Sequence, residues 1–83
     1  MLVEQDVKDW IVAYIADYSG VPQESVKLDT PFSHYGLDSS DAVIVGGALE
    51  ERFDVEIDAT LFLRNEDIAS LLADLKANGA IAG

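Results

Sequence analysis

Apolar residues recur along this chain at helical spacing in several stretches, and turn-forming residues mark the gaps between them. Val3, Val7, Trp10, Ile11, Tyr14, Ile15 and Tyr18 return at intervals of three and four, which places them on one face of a first helix. Glu4, Asp6, Lys8, Asp9 and Asp17 fall mostly on the other face. Trp10 belongs to an unbroken stripe and reads as core rather than as a ligand-stacking ring. Ser19-Gly20 supplies the stop, and Pro22 bars continuation.

A second helix is predicted from Ser39 to Phe53, with Ala42, Val45, Gly46, Leu49 and Phe53 facing the core. Its opposite stripe is Ser40, Ile44, Gly47 and Glu51, with Asp41 and Glu50 beside it. Residues 54–66 hold Ile57, Leu61, Phe62 and Leu63 between polar positions, consistent with a short third helix packed over the second. The last helix starts near Asn65 or Asp67, both competent caps, and buries Ile68, Leu71, Leu72 and Leu75. Lys76 sits near its negative end. Asn78-Gly79 ends it, and residues 80–83 read as a frayed tail or a cut linker after one domain over 1–79.

Between Ser19 and Asp38 runs a long connection with no sustained period. A loop of that length in a compact domain is either functional or pinned. Val21, Val26, Leu28, Phe32 and Tyr35 are spaced so that each can dip into the bundle, and residues 22–25 can form one helical turn. The predicted fold is all-α: a small bundle of three main helices and one short one, with a long first loop.

Composition narrows what such a bundle can do. At 83 residues the chain makes one small domain, burying roughly 60% of its unfolded surface and offering little room for a deep active site. Sixteen acidic residues against five basic ones give a net charge of −11, which repels nucleic acid and anionic membranes and complements a basic protein partner. With no cysteine, there is no disulfide, thiolate metal site or protein thiol. Any thiol chemistry needs a cofactor to supply the sulfur. No apolar run reaches the ~18 residues of a membrane span and the acidic N-terminus lacks a signal peptide's apolar core, so the expected location is the cytoplasm.

The stretch Gly36-Leu37-Asp38-Ser39-Ser40-Asp41-Ala42-Val43 ends the loop and opens the second helix. Asp and Ser cap helices because their oxygens accept the first turn's unpaired N–H groups, and the same N–H groups and helix dipole favour a phosphate. Locally, Asp-Ser before an apolar run is an ordinary cap. His34, the one histidine, allows a Ser-His-Asp hydrolase on paper, from Ser33 or Ser39 with Asp38. Neighbouring loop residues offer no sheltered pocket or oxyanion hole for it, and His34 reads as a solvent-facing loop residue.

The run Pro31-Phe32-Ser33-His34-Tyr35-Gly36-Leu37-Asp38-Ser39, followed by Ala42-Val43 and by residues 48–57, resembles the acyl carrier protein family of fatty acid and polyketide synthases. The likeness covers nearly the whole chain and includes the spacing from the serine to Leu49-Glu50-Glu51-Arg52-Phe53. It implies that Ser39 carries 4′-phosphopantetheine, that Asp38 serves recognition by the phosphopantetheinyl transferase, and that the chain is a non-catalytic carrier. It further implies docking of ketosynthase, acyltransferase or acyl-ligase type enzymes on Leu37, Ser40, Asp41, Ile44, Gly47, Glu50 and Glu51, by a monomer. A cargo slot is expected between the second and third helices near Val43 and Leu61. From Asp38 to Asp58 there are seven acids and one base, Arg52, a charge suited to steering basic partners that must bind and release repeatedly.

Three features depart from the family pattern. Ser40 replaces the usual leucine or methionine after the serine, and a ~100° helix step turns its hydroxyl away from that of Ser39. Ile44 stands where many relatives carry glutamate, which exchanges a charge for an apolar docking contact. Gly46-Gly47 costs roughly 1 kcal/mol per glycine relative to alanine, to be offset by close packing at Gly46 and close partner approach at Gly47. Two other readings compete: a peptidyl carrier of nonribosomal synthesis, whose members usually have Gly or His where Asp38 stands, and an acidic helical interaction module in which Ser39 is only a cap.

Overall fold

A computed structural model describes residues 2–57, 60–77, 79 and 81–82, without the side chains of Leu2 and Ala82. The fold is an all-α bundle with α1 at Glu4–Ser19, α2 at Ser39–Phe53, α3 at Leu61–Arg64 and α4 at Ile68–Ala77. Two short 3₁₀ turns, Gln23–Ser25 and Phe32–Tyr35, interrupt the first connection. Strand pairing among the described residues is confined to a parallel pair, β1 at Leu2–Val3 and β2 at Ile81–Ala82.

Local chemistry sets the helix ends. Gly20, at φ +75°, accommodates the left-handed turn that closes α1, and its N–H donates to the Ala16 carbonyl. Asp67 starts α4: its Oδ1 accepts the Ser70 N–H at 2.8 Å. Asn65, the other candidate cap, instead donates from Nδ2 to the Leu61 carbonyl at 2.9 Å and to Asp74 at 2.7 Å, tying the end of α3 to α4.

One core joins all four helices: Val7, Ile11 and Ile15 from α1, Val45 and Leu49 from α2, Leu61 and Phe62 from α3, and Ile68, Leu71, Leu72 and Leu75 from α4. Trp10 packs against this core, half-buried, with its ring 5.3 Å from that of Tyr14 and 6.2 Å from that of Phe53. The predicted α1 stripe is too long at both ends, since Val3 and Tyr18 are about half exposed. Val3 lies in β1, ahead of the helix, and the last turn of α1 runs past the edge of the core.

The long connection is pinned, as its apolar spacing predicts. Val26 and Phe32 are buried and Val21 and Tyr35 half-buried, whereas Leu28 stays at the surface. Main-chain bonds hold it against the α3–α4 junction: the Phe32 N–H donates to the Glu66 carbonyl at 2.7 Å, and the Ala69 N–H to the Leu28 carbonyl at 2.9 Å.

The expectation of a loose tail after residue 79 is overturned at Ile81, which is only 5% exposed and registers against Leu2 in the parallel pair. A β-branched apolar side chain finds a place in the core because the two ends of the chain meet. Lys76 adds an ion pair to Glu4 across the same ends.

Candidate functional site

The site forms where the pinned loop hands over to α2. Asp38 is the cap residue, and Ser39 and Ser40 occupy the first two positions of the helix, both exposed. Asp38 and Asp41 make a reciprocal capping box: the Asp41 N–H donates to Asp38 Oδ1 at 3.0 Å, and the Asp38 N–H donates to Asp41 Oδ2 at 3.1 Å. The Asp41 N–H, first among the donors to this group, holds the Asp38 carboxyl below the ordinary aspartate range. The Tyr18 hydroxyl, from the last turn of α1, also donates to Asp41 Oδ2 at 3.1 Å. That bond pushes the Tyr18 hydroxyl above the ordinary tyrosine range.

Beside Ser39 opens a cavity of about 420 Å³. Its apolar wall combines Ile15 of α1, Phe32 and Leu37 of the loop, Ala42 and Val45 of α2, and Phe62 and Leu63 of α3. Ser33, Asp38, Ser39, Asn65 and Glu66 supply its polar lining. The rings of Phe32 and Phe62 meet at 5.9 Å, linking loop and α3 across this wall.

Three expected positions move. Leu37 is buried and lines the cavity, so it is not a docking side chain. Val43 is 51% exposed and Leu61 is sealed at 1%. The cavity therefore uses their neighbours Ala42 and Phe62, one helix step away in each case. The remaining docking positions divide: Ser40, Ile44, Gly47 and Glu51 are exposed, with Ile44 at 59%, while Asp41 and Glu50 are half-buried. Asp41 is engaged within the chain through the bonds above. His34 is exposed and stacks edge-on against Tyr35.

The glycine pair is not explained by tight packing. A Cβ on Gly46 would stand 3.6 Å from Phe62 Cδ2, an ordinary contact, and one on Gly47 would meet nothing within 4 Å. The turn at Gln23–Ser25 falls where residues 22–25 were expected to form one, whereas the turn at Phe32–Tyr35 was not anticipated. The cavity wall and the Tyr18–Asp41 bond join residues far apart in the chain, and only the apolar spacing of the loop hinted at the wall.

A family profile described as "Phosphopantetheine attachment site" matches residues 9–75, most of the chain. The chain belongs to this family. Its relatives include Acyl carrier protein TtuC of Teredinibacter turnerae, 34% identical over 70 residues that make up 84% of this chain and 80% of that protein. An acyl carrier protein of Campylobacter jejuni subsp. doylei is 33% identical over 72 residues, 82% of this chain and 94% of its own length. A segment of a hydroxamate-type ferrichrome siderophore peptide synthetase of Schizosaccharomyces pombe is 33% identical over 66 residues, 80% of this chain but 1% of that protein. The all-α bundle agrees with carrier-family membership, and a carrier of this family works with synthase-type enzymes rather than as a catalyst. No described helix is long and apolar enough to cross a membrane.

Proposed function

We propose that this carrier holds acyl or polyketide intermediates on a 4′-phosphopantetheine arm attached to Ser39 Oγ. The observation that carries the reading is the position of Ser39: exposed, first in α2, and on the lining of an apolar cavity that Ser40 does not reach. A phosphodiester fits there because the oxygen is presented at a helix start beside open space. The arm, once loaded by a phosphopantetheinyl transferase, supplies the thiol that this cysteine-free chain lacks and so carries cargo as a thioester.

The chain's own contribution is placement. Asp38 fixes the first turn of α2 and stands beside Ser39 for the transferase to read. The cavity wall of Phe32, Leu37, Val45 and Phe62 offers shelter to apolar cargo. The exposed face of α2 meets the partner, and tethering raises the local concentration of cargo at each docked enzyme. The protein works as a cytoplasmic monomer, visited in turn by ketosynthase, acyltransferase or acyl-ligase type partners. The match to a peptide synthetase segment favours a second reading, a peptidyl carrier using the same serine.

Incubation with coenzyme A and a broad-specificity transferase tests the assignment by intact mass. One added phosphopantetheine is expected on the wild type and on Ser40→Ala, and none on Ser39→Ala. Addition to Ser39→Ala but not to Ser40→Ala would move the arm to the second hydroxyl. No addition to any of them would leave an acidic helical module. Transfer of an aminoacyl group, but no acyl group, by cognate enzymes would favour the peptidyl reading.

A further inference from the structure

We infer that Tyr18 is a positioning residue for the loading of Ser39, acting through Asp41 on the capped first turn of α2. The inference rests on the reading that Ser39 is the loaded residue.

Tyr18 gains little by burial: it stands in the last turn of α1 with 49% of its surface exposed. Its hydroxyl donates to Asp41 Oδ2 at 3.1 Å, across 23 residues of sequence. That same oxygen accepts the Asp38 N–H at 3.1 Å, and Asp38 Oδ1 accepts the Asp41 N–H at 3.0 Å. One carboxylate oxygen therefore joins the end of α1, the end of the long loop and the start of α2. Ser39 lies inside this closed set of bonds, between its two aspartates. A phenol donating to a carboxylate is a charge-assisted hydrogen bond, stronger than a neutral one. It restricts the rotation of the Asp41 side chain, and through the capping box it restricts the direction in which α2 starts.

In loading, Ser39 Oγ bonds to the pantetheine-bearing phosphorus of coenzyme A as the diphosphate P–O bond breaks, adenosine 3′,5′-bisphosphate leaves and the hydroxyl proton passes to a base of the transferase. Such a transfer depends on holding the attacking oxygen in line with phosphorus, and small misplacements cost rate. Loosening this turn should therefore slow transfer while leaving the docking surface of α2 intact. Removing only the hydroxyl, in Tyr18→Phe, is expected to lower kcat of loading about fivefold, the rate equivalent of one typical hydrogen bond, with KM nearly unchanged. Acting through Asp41 has a further signature. In an Asp41→Ala background, Tyr18→Phe should cause no additional loss, because the bond it would break is already gone.

The experiment compares loading kinetics for wild type, Tyr18→Phe, Asp41→Ala and the double variant with coenzyme A and a broad-specificity transferase. Backbone amide spectra of the four unloaded proteins accompany it. The expected result is a drop in kcat for Tyr18→Phe that does not add to that of Asp41→Ala, with amide shifts at Asp38, Ser39 and Asp41. An unchanged kcat, a loss carried entirely by KM, or a fully additive loss overturns the inference and leaves Ser39 loading intact. If the wild type itself is never loaded, the carrier reading fails and the inference with it. The spectra then report on the tie alone, and shifts confined to the neighbours of the Tyr18 ring would refute that too.

Discussion

Asp38 and Asp41 cap each other, each main-chain N–H meeting the other's carboxylate within 3.1 Å. Because the Asp41 N–H favours the ionised form of the carboxyl it reaches, the folded-state pKa of Asp38 is depressed. A depressed carboxyl contributes stability that is present above its unfolded pKa, about 3.9, and is lost as pH falls through the lower folded value. Asp38→Asn, which imitates the protonated acid, should therefore melt below wild type at neutral pH. The gap should close as the pH is taken below about 4. Thermal melts of both proteins from pH 7 to pH 3 check this, and a gap that stays constant would contradict it.

Gly46 and Gly47 weaken α2 without any close contact in this chain that demands them. Gly47→Ala should raise stability by about 1 kcal/mol, the ordinary difference between the two residues inside a helix. Gly46→Ala should also gain, by up to about 1 kcal/mol, since its methyl would sit in normal contact with Phe62. Urea titrations give both numbers. A loss at Gly46 would mean that Phe62 cannot give way. If Gly47→Ala is stabler yet transfers cargo more slowly, the glycine serves a partner's approach.

Ile81 distinguishes a packed end from a loose one. It is 5% exposed and paired in register with Leu2, so Ile81→Ala should cost about 2 kcal/mol, the lower range for a buried isoleucine. A frayed residue would cost less than about 0.5 kcal/mol. Denaturant midpoints separate the two.

What could be read beforehand followed the range of the interaction that fixes it. The α2 limits, Ser39 and Phe53, were legible because a local cap and a 3.6-residue stripe determine them. Ile81 was not, because four residues of small and apolar type have no period, and its burial depends on meeting Leu2 from the far end. Leu37 sits in a loop without register, so nothing local says that it turns inward. Val43 differs from Ala42 by one step of about 100°, enough to take it from the edge of the cavity to solvent. Tyr18 ended a plausible apolar stripe, and its use as a donor to Asp41 emerges only when α1 and α2 are brought together.

Ile44 is 59% exposed on the face of α2 opposite the core, with Val43 also half exposed and Leu63 likewise on α3. A charged or polar residue would solvate that position at no cost to the fold, and contact with a partner is the role proposed for the isoleucine. Ile44→Glu should leave stability within about 0.5 kcal/mol of wild type, as for most surface changes. It should weaken productive docking about tenfold if the side chain is one of the few that carry an interface's energy. The added negative charge lies near Asp41 and the acids of the same helix, so its long-range effect on a basic partner is attractive and would favour encounter. A loss seen despite that extra attraction therefore isolates the apolar contact. Loading and transfer rates with cognate enzymes, measured at low and high salt, decide the matter. Unchanged rates at both salts would show that Ile44 makes no docking contact.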